Sequence, residues 1–254
     1  MIMYKEYLSR LFKLLGIEYS CEVSDILDGK NVLSGSSQNK GSRIYSFEPS
    51  FFRMATLGTG VLISADRSLH GFLQQHLKTY SGHWIFQLES LVKIEKELEK
   101  YGYKLTNTHH MLLLDELKGV NLDYKTKWFY EREIDAFYGD ERFSHALSGK
   151  YLESRPDRIA VCAYDGEEII AMAGCSEDAP HWQQIGIDVS EKYRGRGVGT
   201  YLVSLLTKEI IKRGDTPFYG TDTGNYQSMK IALRCGYKPT WVEIDSEKIT
   251  EDKQ

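Results

Sequence analysis

Proline and cysteine are scarce in this chain, at 5 and 4 residues among 254. So little proline, with 22 glycines, leaves no room for collagenous or low-complexity segments, and 41% hydrophobic and 27% charged residues are ordinary for a globular protein. The four cysteines, Cys21, Cys162, Cys175 and Cys235, form no Cys-x-x-Cys pair and no metal-ligand spacing. Each therefore reads as a small core residue, and the chain as a cytoplasmic protein kept reduced. Long apolar runs are missing too. No stretch approaches the roughly 20 residues that a membrane-spanning helix needs. The N-terminal stretch is interrupted by Lys5, Glu6, Arg10 and Lys13, so it reads as an amphipathic helix rather than a signal peptide. No membrane partner is expected. A net charge of -4 excludes the broad basic face of a nucleic-acid-binding protein, so any anion site must be local. The neighbouring His109 and His110 point to opposite faces of a strand and cannot readily share an ion, so no metal is expected.

A chain of this length accommodates two domains, each with its own core. The first half reads as an amphipathic helix, a Gly/Ser/Asn/Lys-rich loop over 28–42, and a strand at Val61–Ser64. A helix follows, N-capped by Asp66, and then a second helix over 85–101 closing at Gly102 before strands at Tyr103 and Met111–Leu114. In the second half a strand ends at Tyr130, Glu131–Leu147 reads as helical, and Asp165-Gly166 joins strands over 158–164 and 168–173 as a hairpin. A strand over 183–189, a helix over 198–213 stopping at Gly214, a strand around 218–221, a helix over 226–235 and a strand over 237–244 complete it. The pattern predicts an α/β (α+β) fold, a mixed central sheet flanked by helices. Both halves join a helix to a strand through Gly-Tyr-Lys, at Gly102 and Gly236, which suggests a distant tandem repeat with its boundary near Lys118–Asn121. The expected domains are residues 1–120 and 121–254.

The most informative stretch runs from Ile185 to Leu206. It joins a strand to a cationic glycine-rich turn and an amphipathic helix, with Arg194, Gly197 and Gly199 spaced as Arg-x-x-Gly-x-Gly. The glycines lie at the helix N-terminus, where the first N–H groups have no partner within the helix and the macrodipole is positive. Backbone donors there can hold a pyrophosphate if no side chain blocks its approach. From Lys192 to Arg213 six basic residues face Glu209 alone, a local charge of +5 in a protein of net -4. A solvated helix face explains Lys208 and Lys212; it does not explain Arg194 and Arg196 set between glycines. A Walker A loop would need Gly-Lys-Ser/Thr after its last spacer, and the dinucleotide fingerprint would need Gly or Ala at Thr200.

This stretch resembles motif A of the GNAT superfamily of N-acetyltransferases, Gln/Arg-x-x-Gly-x-Gly/Ala between a strand and a helix. Asn225-x-x-Ser228 followed by Gly236-Tyr237 resembles the superfamily's motif B. The resemblance covers roughly Asn121 to Glu243 and implies the acyl-CoA N-acyltransferase fold, here in tandem. It further implies that Ile187, Asp188 and Val189 border the pantetheine arm of acetyl-CoA, that the loop of Arg194, Gly195, Arg196, Gly197, Val198, Gly199 and Thr200 holds the pyrophosphate, and that Asn225 and Ser228 contact the cofactor. Many members place a tyrosine seven residues after that Asn to protonate the leaving thiolate. Here the position is Ala232, so Tyr226, Tyr219 or solvent must replace it, or the domain binds coenzyme A without efficient catalysis.

The expected activity is transfer of an acetyl group from acetyl-CoA to an amine by direct attack in a ternary complex. The alternative is a non-catalytic acyl-CoA sensor or interaction protein of the same fold. An amine is protonated at neutral pH and needs a base; Asp188 and Glu243 are the carboxylate candidates, although Asp188 alternates to the face opposite Ile187 and Val189. The acceptor is an amine on a small molecule or a protein. The N-terminal half has only Ala65–Gly71 where a second phosphate loop would fall, which leaves it to cover the substrate side of the active domain or to form a homodimer interface.

Overall fold

The computed structural model describes residues 2–45 and 48–250. In chain order the elements are α1 (Ile2–Glu18), α2 (Val23–Leu27), β1 (Val32–Gly35), β2 (Phe52–Thr56), β3 (Val61–Ala65), α3 (His70–His76), α4 (Leu88–Glu99), β4 (Tyr103–Leu105), β5 (His109–Leu114), β6 (Lys125–Tyr130), β7 (Asp157–Asp165), β8 (Glu168–Ala179), β9 (Trp182–Val189), α5 (Val198–Lys212), β10 (Thr216–Asp222), α6 (Tyr226–Cys235) and β11 (Tyr237–Lys248). Short 3-10 turns connect several of them. No helix among the described residues is long and apolar enough to cross a membrane.

The chain forms two compact units, and neither is a single stretch. One comprises Met1–Leu8, Arg43–Tyr45 and Met111–Pro239; the other comprises Ser9–Ser42, Ser46–His110 and Thr240–Gln254. The expected boundary at 120/121 therefore falls inside the first unit, and β11 from Thr240 onward belongs to the second.

In the second unit β3 pairs with β1 in parallel and with β2 antiparallel, and β11 pairs antiparallel with β2 and β4. Its core gathers Phe52, Met54, Val61, Ile63, Leu69, Leu73, Ile85, Ile94, Leu98 and Ile244. The Asp66 side chain accepts from the Ser68 N–H, the capping role its position suggests, although a 3-10 turn precedes the α-helix proper. Gly102 and Gly236 both take the left-handed conformation just after a helix, at φ +78° and +96°. Helix punctuation accounts for the glycine of each join.

In the first unit the strand order is β5-β10-β9-β8-β7-β6. β6 through β9 run antiparallel to their neighbours, while β9 and β10 run parallel. Gly166, at φ +59°, turns the β7–β8 hairpin between Asp165 and Glu168. α5 packs on β7, β8, β9 and β10, burying Val198, Leu202, Val203, Leu206 and Ile210. The continuous helix expected over 131–147 does not form. The segment makes 3-10 turns at Glu131–Phe137 and Glu141–Phe143, separated by extended Tyr138 and left-handed Gly139, after which Asp140 accepts from the Arg142 N–H and starts the second turn. Its apolar residues Ile134, Phe143, Ala146 and Leu147 are buried against Ala160, Cys162 and Met172 of β7 and β8.

Candidate active site

The site begins where two parallel strands part. The β9–β10 pairing covers Trp182↔Thr216 through Ile185↔Tyr219, yet β9 runs on to Val189 and β10 to Asp222. On its other side β9 stays paired with β8 all the way to Val189↔Ala171. From Gly186 to Val189, then, one edge of β9 offers backbone groups that β10 does not take up. Such an edge can pair with an extended amide chain.

At the end of that edge lies the glycine-rich turn. Gly195 and Gly197 take φ +76° and +83°, conformations that favour glycine, and Gly197 is the N-cap of α5 with no side chain capping the helix. The first intrahelical bond runs from the Tyr201 N–H to the Gly197 carbonyl at 3.0 Å, so the Val198, Gly199 and Thr200 N–H groups have no partner within the helix. A Cβ at Gly195 would meet nothing within 4 Å, whereas one at Gly199 would come within 3.1 Å of Ile231 Cδ1 and 3.2 Å of Val189 Cγ2. Gly195 thus leaves open space over the turn, and Gly199 lets α5 lie close to β9 and α6.

Charge follows the same division. Lys192 pairs with Glu168 at 2.7 Å, and Lys212 and Arg213 pair with Glu209. Arg194 and Arg196 are exposed and have no acidic partner among the described residues. The Arg194 Nε donates to the Val189 carbonyl at 3.2 Å, tying the turn to the end of β9, and the Arg196 guanidinium lies 5.2 Å from the Tyr193 ring centre. Two exposed guanidinium groups without an acidic partner, N–H groups with no partner within the helix and an open left-handed turn fit a pyrophosphate.

α6 begins on the β10 side of the gap. The Asn225 Oδ1 accepts from the Ser228 N–H at 3.1 Å, so Asn225 serves as the helix cap, and the Ser228 Oγ shares a 2.9 Å hydrogen bond with the Tyr219 hydroxyl. Tyr219 is fully buried, and burial pushes its hydroxyl up to about 12. Tyr226, at the first position of α6, is 71% exposed and is the accessible phenol of the two. Ala232 is buried.

Asp188 and Glu243 part company. The Asp188 carboxylate points away from α5: its Oδ2 accepts from the His145 and Ala146 N–H groups, both at 2.8 Å, and its Oδ1 lies 2.8 Å from the His145 Nδ1. The backbone of 145–146 lies flat on the sheet because β9 and β8 present glycines there. A Cβ on Gly186 would come within 1.9 Å of the His145 carbonyl oxygen, and one on Gly174 within 2.3 Å of that of Ala146. Asp188 thus holds a strap and an imidazole, a partnership that no sequence motif marks; the paired Gly174 and Gly186 in adjacent strands were the only available sign of a close crossing. Glu243 belongs to the second unit, opposite Ala55 on β2, and accepts from the Trp241 Nε1 at 2.7 Å.

Burial disfavours the thiolate at each cysteine. Cys162, Cys175 and Cys235 are buried, and desolvation pushes Cys162 and Cys235 up to about 12. Cys21 is pushed up to about 11 by partial burial and by Asp25 and Glu22.

Residues 122–237 match the acetyltransferase (GNAT) family. This stretch of the chain is a GNAT acetyltransferase domain. Solved structures resemble the chain more loosely. An acetyltransferase of the GNAT family from Novosphingobium aromaticivorans is 16% identical, with a TM-score of 0.46 over 59% of this chain and 69% of that one. A GNAT-like protein from Streptococcus suis is also 16% identical, with a TM-score of 0.48 over 63% and 68%. A Salmonella typhimurium protein solved with its cofactor acetyl-CoA is 10% identical, with a TM-score of 0.36 over 52% and 98%. No curated protein is similar enough in sequence to match.

Proposed function

We propose that this chain is an acetyl-CoA-dependent N-acetyltransferase acting on an amine by direct transfer in a ternary complex. The observation that supports it most is the gap between β9 and β10, bordered by an open backbone edge and closed by the uncapped N-terminus of α5. In this reading acetyl-CoA supplies a thioester, whose acetyl carbon accepts an amine. The edge at Ile187–Val189 receives the amide-bearing arm. Val198, Gly199 and Thr200 donate N–H groups to the pyrophosphate, with Arg194 and Arg196 supplying positive charge. Asn225 and Ser228 set the start of α6 on the opposite side, and Tyr226 stands there as the exposed proton donor.

Calorimetric titration of acetyl-CoA into the purified chain, with Gly197→Trp as the blocked variant, tests the site. Free-thiol release with a panel of small-molecule amines and amine-bearing peptides tests the reaction. Binding lost in the variant, together with amine-dependent thiol release, is the expected result. Binding without release from any amine would instead favour a non-catalytic acyl-CoA sensor, and no binding would overturn the cofactor site.

A further inference from the structure

We infer that His145 is the general base that deprotonates the acceptor amine, with Asp188 as its positioning residue; this rests on the acetyl-transfer reading above. Along the strap, Ala146 lies over Gly174 of β8 and His145 over Gly186 of β9, so His145 sits over the strand that borders the gap. Asp188 lies between Ile187 and Val189, on the edge assigned to the acyl donor. Its Oδ2 fixes the strap backbone and its Oδ1 holds the His145 Nδ1. A carboxylate at Nδ1 favours the tautomer in which that nitrogen carries the proton and Nε2 presents a lone pair. The ring is 78% exposed while its carboxylate partner is 16% exposed, so the free nitrogen reaches an incoming molecule and can return its proton to solvent. Elsewhere on the strap, Asp140 and Arg142 bind each other at 2.6 Å, and Glu168 on β8 binds Lys192. Asp188 is the acidic group the imidazole bonds among the described residues.

In the balanced step, His145 Nε2 takes one proton from the acceptor ammonium. The freed nitrogen pair forms the N–C bond to the acetyl carbon, and the C–S bond breaks with its electron pair on sulfur. Tyr226 gives its proton to that thiolate and takes the second nitrogen proton in its place, leaving amide, free thiol and one proton released to solvent through His145.

The test compares wild type with His145→Ala and His145→Gln. Both variants keep the backbone N–H bonds to Asp188, so acetyl-CoA affinity is expected to stay within experimental error, while the melting temperature falls slightly with the lost Nδ1 bond. The expected kcat/KM for the amine falls by roughly 100-fold or more, in the range of a lost general base. The acidic limb of the wild-type pH–rate profile disappears, and added imidazole restores part of the rate in His145→Ala. Variants within twofold of wild type, or a loss that imidazole does not relieve, would overturn the assignment. Wild type that binds acetyl-CoA yet releases no thiol with any amine would overturn the reaction itself, and the base with it. Independently of turnover, nitrogen-15 spectra of labelled histidine should show Nδ1 protonated and Nε2 free; the opposite tautomer would refute the dyad.

Discussion

At the scale of single residues, two glycines decide where the candidate chemistry can sit. Gly174 and Gly186 face each other across β8 and β9, and the strap carbonyls of 145 and 146 occupy the space a side chain would take. Gly186→Ala sets a methyl group against backbone rather than against a flexible side chain, so the strap or the strand must move. A cost of about 2 to 3 kcal/mol is expected, the upper part of the overpacking range. Urea midpoints measure it, with Gly149→Ala as the control, since that position has open space and no left-handed φ. Equal midpoints for the two variants would refute the close crossing. The motif residues were legible in the sequence because Arg194, Gly197 and Gly199 act locally, through a turn and a helix start. His145 was not, because its partner lies 43 residues away and the pairing exists only once β9 is in the sheet.

At the scale of elements, α5 and α6 were read within a residue because glycine punctuates both. Gly214 and Gly236 close them in the left-handed conformation, and Gly197 and Asn225 open them. Residues 131–147 had apolar positions at helical spacing, but Gly139 followed by Asp140 breaks the backbone and restarts it, and the buried side chains are satisfied by short turns over β7 and β8. Local punctuation outranked periodicity there. For α6 the cap is testable: Asn225→Ala leaves the Ser228 N–H without its side-chain acceptor and is expected to cost about 1 kcal/mol. Because the same helix start borders the β9–β10 gap, acetyl-CoA affinity is expected to weaken alongside stability, whereas Asn225→Asp restores the cap and most of the stability. Urea titration and calorimetry of the two variants separate these effects.

At the scale of the whole molecule, each unit buries an aspartate that burial pushes up to about 6: Asp178 in the first and Asp245 in the second. A carboxyl whose folded pKa exceeds its unfolded value of 3.8 adds stability that is full below pH 3.8 and is lost as pH rises through about 6. Asp157, also in the first unit, is raised by burial and acts in the same direction. In the second unit His76 is lowered by burial and by Lys93, so its contribution runs the other way and is lost as pH falls below its unfolded value of 6.5. Between pH 7 and pH 5 the first unit therefore gains stability from its buried acids, while in the second Asp245 and His76 oppose each other. For Asp178 alone the gain is on the order of 1 kcal/mol. Asp178→Asn removes the titration, although Arg155 and Arg43 then lose an anionic neighbour and absolute stability changes at every pH. The informative quantity is the difference between pH 5 and pH 7 within each protein. Urea unfolding at both values should show a smaller gain on acidification in Asp178→Asn than in wild type; an unchanged gain would mean that Asp178 is already ionised and paired in the folded protein at pH 5.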